Sequence, residues 1–204
     1  MTAPAPAPSA LIFDEAAHTY TVEGVVLPSV TQVLQDVGVI DYGFIPREER
    51  ERYLQRGRAV HLATELDDAG ELEEESVVPA IAGFLAAWRR FRSESGFVPE
   101  LIEYRSYNPS LGYAGTLDRS GKIGQSLYLL DIKTGHSPWW VAIQLAAYCY
   151  FFNRPLLYRR IAVEVHDDGT YKVSEFQSSK TRQDFDVFTA ALMVSRAKER
   201  HAVS

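Results

Sequence analysis

The sequence predicts an α/β fold: a mixed β-sheet with helices packed against it. Three features carry this. Residues 98 to 135 hold three consecutive β-type segments, VPELIEYRSY, GYAGTLDRSG and SLYLLDIKTG, joined by short polar or glycine-containing turns. An apolar helical run, SPWWVAIQLAAYCYFF, separates them from a second β-pair, LLYRRIAVEV and TYKVSEF. Helical patterns occupy much of the first hundred residues and the last 25 or so.

Taken in order, residues 1–10 are a Pro/Ala tract, expected to stay disordered because it offers nothing to pack. The rest, 11–204, is expected to form one domain. LIFDEAAHTYTVEGVVL reads as a small N-terminal β-hairpin turning at Glu-Gly. In PSVTQVLQDVG, Ser29 or Thr31 can cap a short helix that stops at Gly38. From Pro46, PREERERYLQRGRAVHLATELDD reads as a long charged helix. A third helix is expected from about Val77 to Ser95, with Ile81, Phe84, Leu85, Trp88 and Phe91 at helical spacing and Gly96 ending it. The run after Ser137 is apolar nearly all round, so its helix should be buried, and Asp167, Asp168 and Gly169 turn the final hairpin.

Composition excludes several classes. Hydrophobic content of 46% with 24% charged residues is ordinary for a globular protein, so the chain can build a core. There is no basic n-region with an apolar h-region, and no run of membrane-spanning length, so a cytoplasmic protein is expected. The one cysteine, Cys149, rules out an internal disulfide, a cysteine-built zinc site and an iron–sulfur cluster. A net charge of −6 argues against a uniformly basic DNA-coating surface. The charge is uneven: DDAGELEEE, residues 67 to 75, holds six acids and no base, and arginines cluster in WRRFR and LYRR. These read as solvated faces, with a phosphate groove as the alternative.

The unusual chemistry lies in YAGTLDRSGKIGQSLYLLDIKTG. An apolar strand ends in Asp-Ile-Lys, so Asp131 and Lys133 project to one face and Ile132 to the other. Asp118 is expected at the end of the preceding strand, with a turn at Ser120 to Gly124 bringing the two strands together. Two carboxylates brought close repel unless a positive charge separates them. A hard divalent cation such as Mg²⁺ suits that place, and an amine beside it suits attack on a phosphodiester. An ordinary surface ion pair is the competing reading.

Other residues point the same way. His61, four residues after Gly57, is a potential ligand or a merely packed histidine, and Glu65 one turn on could orient its ring. Trp140, Gln144 and Tyr148 share a helix face. A buried amide at Gln144 needs a polar partner, either a phosphate, a water or the lysine, or a neighbouring carbonyl. Trp139 and Trp140 could stack on bases or pack in the core, and Glu103 adds a carboxylate or is a plain edge-strand acid.

GTLD, twelve residues, DIKTG and a helix bearing QLAAY together resemble the RecB-type branch of the PD-(D/E)XK nuclease superfamily. RGRAVH resembles that branch's G-x-x-x-H motif, and HTYTVEGVVLPSVTQVL is similar to the start of its phage-type exonucleases. The resemblance spans about residues 13 to 150. It implies a restriction-endonuclease-like core and Mg²⁺-dependent DNA cleavage to 5′-phosphate and 3′-hydroxyl ends, with Mn²⁺ as a substitute. It makes Asp118, Asp131, His61 and the Ile132 carbonyl metal ligands and Lys133 the catalytic lysine. Gln144 joins the catalytic set; Tyr148, Trp140, Glu65 and Glu103 would stand behind it or meet DNA. The implied partner is DNA with linear or single-stranded ends. A phosphate loop is lacking, so unwinding would need a helicase or recombination partner. An exonuclease or end-processing enzyme is the leading expectation; a flap or branch endonuclease and a cleavage-inactive DNA-binding subunit are the alternatives.

Overall fold

The computed structural model describes residues 11–202, and the Pro/Ala segment expected to be disordered lies outside them. The N-terminal unit is a three-stranded antiparallel sheet rather than one hairpin: β1 (Leu11–Asp14), β2 (Thr19–Val22) and β3 (Val25–Leu27). The β2–β3 turn uses Glu23 and Gly24, with φ of 50° and 81°, the paired positive values of a type I′ turn. The β1–β2 reversal has no glycine. It is closed by Asp14 Oδ1 accepting from Ala17 N at 2.9 Å, with His18 at φ 50°.

Helix α1 (Val30–Asp36) starts in a capping box: Ser29 Oγ accepts from Gln32 N at 3.1 Å, and Gln32 Oε1 accepts from Ser29 N at 2.9 Å. Helix α2 (Arg47–Ala69) and helix α3 (Pro79–Ser95) each end on a left-handed glycine, Gly70 and Gly96. Proline at the first position of α3 sets its start two residues later than the apolar spacing suggests.

The main sheet has five strands in the order β4 (Phe97–Asn108), β5 (Tyr113–Ile123), β6 (Ser126–Lys133), β7 (Tyr158–Val165) and β8 (Tyr171–Phe176). It is mixed: β6 and β7 run parallel, joined through α4 (Val141–Cys149), and the other neighbours are antiparallel. Helix α5 (Thr181–Ala202) closes the chain.

Strand alternation divides the core in two. Leu117, Leu129 and Ala162 face α1, α4 and α5, packing with Leu145, Phe185 and Phe188. Leu130, Ile132 and Val163 face α2 and α3, packing with Val60, Phe84, Trp88 and Phe91. Helix α4 is buried at eight of its nine positions because it has sheet on one side and α5 on the other.

The clustered arginines are paired with acids, partly buried between α2 and α3 and exposed elsewhere. Arg89 pairs with Asp67 at 2.6 Å and with Glu74, and Arg92 pairs with Asp68. Arg90 pairs with Glu94 at 2.7 Å and Arg159 with Glu175 at 2.6 Å. Arg160 is fully buried, donating to the Ala142 carbonyl at 2.5 Å and pairing with Asp184 at 2.8 Å, which locks α4 to α5. None of the described helices is long and apolar enough to cross a membrane.

Candidate active site

The site is a fork in the sheet. Strands β5 and β6 pair only from Arg119–Leu130 to Ile123–Ser126, around a two-residue turn at Gly124 and Gln125. Before Arg119, β5 pairs with β4 and, at Ala114, bridges to Ser29; after Leu130, β6 pairs with β7. The next pair in register would be Asp118 and Asp131, so the fork opens between these two acids. Asp118 therefore lies inside β5, not at its end, and the turn is tighter than the sequence suggests. Divergence strands the Ile132 N–H, and Asp118 Oδ2 accepts it at 2.7 Å in place of a neighbouring strand.

A backbone irregularity brings a third acid to the same point. Glu103 has φ 43°, a left-handed value costing of order 1–3 kcal/mol for a residue with a side chain. The β4–β5 ladder skips the Glu103–Asp118 pair, running from Ile102–Arg119 to Tyr104–Leu117. Alternation slips there: Leu101 and Tyr104 pack on one core, and Leu117 enters that core while Arg119 turns to α2 and α3.

Helix α2 supplies His61. Its Nε2 lies 3.0 Å from the Ile132 carbonyl, and its Nδ1 lies 3.5 Å from Glu103 Oε1 and 3.8 Å from Asp118 Oδ2. Burial pushes the imidazolium pKa down, but Asp118 and Glu103 push it up further, to about 9. Gly57 does not bring another backbone close, since a Cβ there would meet open space. Glu65 makes no hydrogen bond to the ring among the described residues; burial and Glu103 raise its pKa.

On β6, Lys133 Nζ donates to Asp131 Oδ1 at 2.9 Å and lies 2.8 Å from Oδ2. Oδ2 is buried and accepts no well-directed hydrogen bond. Burial, opposed by Lys133 and reinforced by Asp118, pushes the Asp131 carboxyl up to about 6. Burial alone would lower the Lys133 pKa, but Asp131 and Asp118 outweigh it and raise it, so the side chain is an ammonium. It lies 5.4 Å from the Trp140 ring centroid.

One nitrogen or oxygen each from His61, Glu103 and Asp118 lie within 4.8 Å of one another, a cluster that can hold a metal ion. Asp131, ion-paired with Lys133, and the Ile132 carbonyl, beside His61 Nε2, lie near it, and hard oxygen donors with one imidazole suit a hard divalent cation.

Among solved structures, the chain is similar to an alkaline exonuclease (LHK-Exo) from Laribacter hongkongensis. Identity is 15% over 86% of this chain and 92% of that one, with a TM-score of 0.31. So loose a superposition says nothing about chemistry. No protein-family model matches the chain, and no curated protein does.

Helix α4 walls the other side. Gln144 Nε2 donates to the Tyr148 hydroxyl at 3.3 Å, and Gln144 Oε1 is buried without a partner. Burial raises the Tyr148 pKa, keeping the phenol neutral. The Tyr148 ring occupies the space that a Cβ on Gly115 would need, 2.7 Å away, which explains glycine in GTLD. Trp140 is buried against the core and cannot stack on a base, whereas Trp139 is 67% exposed. The N-terminal sheet reaches the site through Tyr20, whose hydroxyl hydrogen bonds Thr116 Oγ1 at 2.7 Å. Sequence reasoning missed Tyr20, Thr64 and Arg119. The only local signal was a basic residue directly after GTLD.

Proposed function

We propose that this chain is a Mg²⁺-dependent deoxyribonuclease acting at DNA ends and leaving 5′-phosphate and 3′-hydroxyl products, with Mn²⁺ able to substitute. The observation that carries this is the fork: one carboxylate from each diverging strand, with an ammonium two residues beyond the second. That is the arrangement the PD-(D/E)XK resemblance implies. Lys133, His61 and Arg119 offset the three acids, and a phosphodiester entering here adds negative charge that a divalent cation would balance. Asp118, Asp131, His61 and the Ile132 carbonyl would hold the ion, and Glu103 stands close enough to join them.

Bound there, the ion would polarise a phosphoryl oxygen and lower the pKa of a water. Lys133 presents its ammonium to the same space and stabilises negative charge as it develops on the phosphoryl group. Asp131 holds that ammonium in place. Gln144 brings an unpaired amide oxygen from α4, able to accept a hydrogen bond from the attacking water. Trp140 presents its ring to the Lys133 ammonium, 5.4 Å from the ring centroid.

A Mg²⁺ assay on end-labelled linear DNA and on covalently closed circles tests the proposal. Linear DNA should be degraded while circles persist, and Lys133→Ala or Asp131→Ala should reduce the rate by about 10²–10⁴-fold with the fold retained. Cut circles would instead indicate an endonuclease. Asp131→Ala cutting as fast as wild type would end the assignment.

A further inference from the structure

Arg119 is fully buried and has no part in the site chemistry described above. Its Nε donates to Asp68 Oδ2 at 2.6 Å. Its Nη1 donates to Glu103 Oε1 at 3.0 Å and to the Asp118 carbonyl at 2.6 Å, and its Nη2 donates to Thr64 Oγ1 at 3.1 Å. The Trp88 ring lies 5.8 Å away. Thr64 in turn donates to the His61 carbonyl at 2.9 Å. One guanidinium therefore touches the backbone of Asp118, the carboxylate of Glu103 and the helical turn that carries His61.

These are the three members of the candidate cation cluster, and they come from β5, β4 and α2. No backbone ladder fixes their separation, because the Glu103–Asp118 pair is the one the β4–β5 ladder omits. Glu103 also sits at a positive φ that needs external support. Charge balance alone does not account for the placement of Arg119: besides Asp68, which it shares with Arg92 and Trp88 Nε1, it reaches two neutral acceptors, the Asp118 carbonyl and Thr64 Oγ1. What the planar fork adds is simultaneous reach to several acceptors, which an ammonium of equal charge lacks.

We infer that Arg119 is a positioning residue that sets the spacing of His61, Glu103 and Asp118 and thereby the affinity of the site for a divalent cation. It acts through Glu103 and Thr64 and touches neither the ion nor DNA. This rests on the metal-dependent reading above.

The test is Mn²⁺ binding, measured by calorimetry and by loss of the free-ion electron paramagnetic resonance signal, on the full chain. Wild type is measured first; if it binds no Mn²⁺ at the site, the metal-dependent reading fails and this inference with it. With binding established, Arg119→Lys keeps the charge but loses the fork, and its Mn²⁺ affinity should fall roughly ten- to a hundred-fold. Glu103→Gln, which leaves Arg119 in place, should lower affinity too. The double variant should lose less than the product of the two single losses, because both act through one contact. Wild-type affinity in a folded Arg119→Lys protein, or losses that simply multiply, would overturn the inference while leaving the metal site standing. If Arg119→Lys does not fold, Thr64→Val reports instead: it cuts the link to His61, so reduced affinity supports the clamp and unchanged affinity refutes it.

Discussion

Without a cation, two side chains of the site hold protons that a cation would displace. The His61 pKa is raised to about 9, so its contribution to stability is complete below about 6.5 and lost as pH rises through 9. The Asp131 pKa is raised to about 6, so the ion-free fold also weakens as pH climbs from its unfolded value near 4 through 6. Both shifts have the same sign: ion-free stability falls as pH rises, and bound Mg²⁺ would replace the positive charge that His61 loses. The rise in melting temperature on adding Mg²⁺ should therefore grow from pH 6 to pH 9, and His61→Ala should flatten it between 6.5 and 9. Melting curves in Mg²⁺ and in chelator check this; a pH-independent increment would contradict it. The nearness of Asp118, Asp131 and Lys133 was legible in the sequence, because alternation puts Asp131 and Lys133 on one face and a short turn brings the strand of Asp118 alongside. Arg119 was not, because regular alternation sends it away from Asp118, and its anchor Asp68 lies 51 residues back. Glu103 was half legible, its position depending on a φ of 43° that nothing in ELIEYRS announces.

At the scale of elements, two glycines report on packing rather than turns. Gly83 lies within α3, where alanine would ordinarily stabilise a helix by about 1 kcal/mol. Here a Cβ would stand 1.7 Å from the Asp167 carbonyl oxygen, in the turn between β7 and β8. Gly83→Ala should therefore destabilise the fold, by about 1–3 kcal/mol, with the site intact. Gly115→Ala would press on the Tyr148 ring and should lower the rate of cleavage more than it lowers stability. Denaturant titrations beside rate measurements separate the two; a Gly83→Ala protein as stable as wild type would show the turn yields freely. Element order and most helix ends were legible from periodicity, caps and glycines. The separation of β1 from β2 was not, because their turn is made by an Asp14 side chain and His18 rather than by a glycine.

Over the whole molecule, part of the charge is used internally. Asp67 and Asp68 of the acidic run, with Arg89 and Arg92 of WRRFR, tie α2 to α3, and Arg119 ties Asp68 to the sheet. Removing one partner of a buried pair costs about 3–5 kcal/mol, so this lattice holds the long helix that carries His61. Such pairing spans helices distant in sequence, and composition alone cannot reveal it. Two helical layers then grip a sheet whose central strands part at their acids, and the account's central claim is that this gap seats a divalent cation. Crystals grown with Mn²⁺ and measured for anomalous scattering test it most directly. A peak is expected between β5 and β6 within about 2.0–2.4 Å of oxygens from Asp118, Asp131 and the Ile132 carbonyl. Ordered Mn²⁺ elsewhere, with Lys133 still bridging both oxygens of Asp131 and the gap closed, would contradict it.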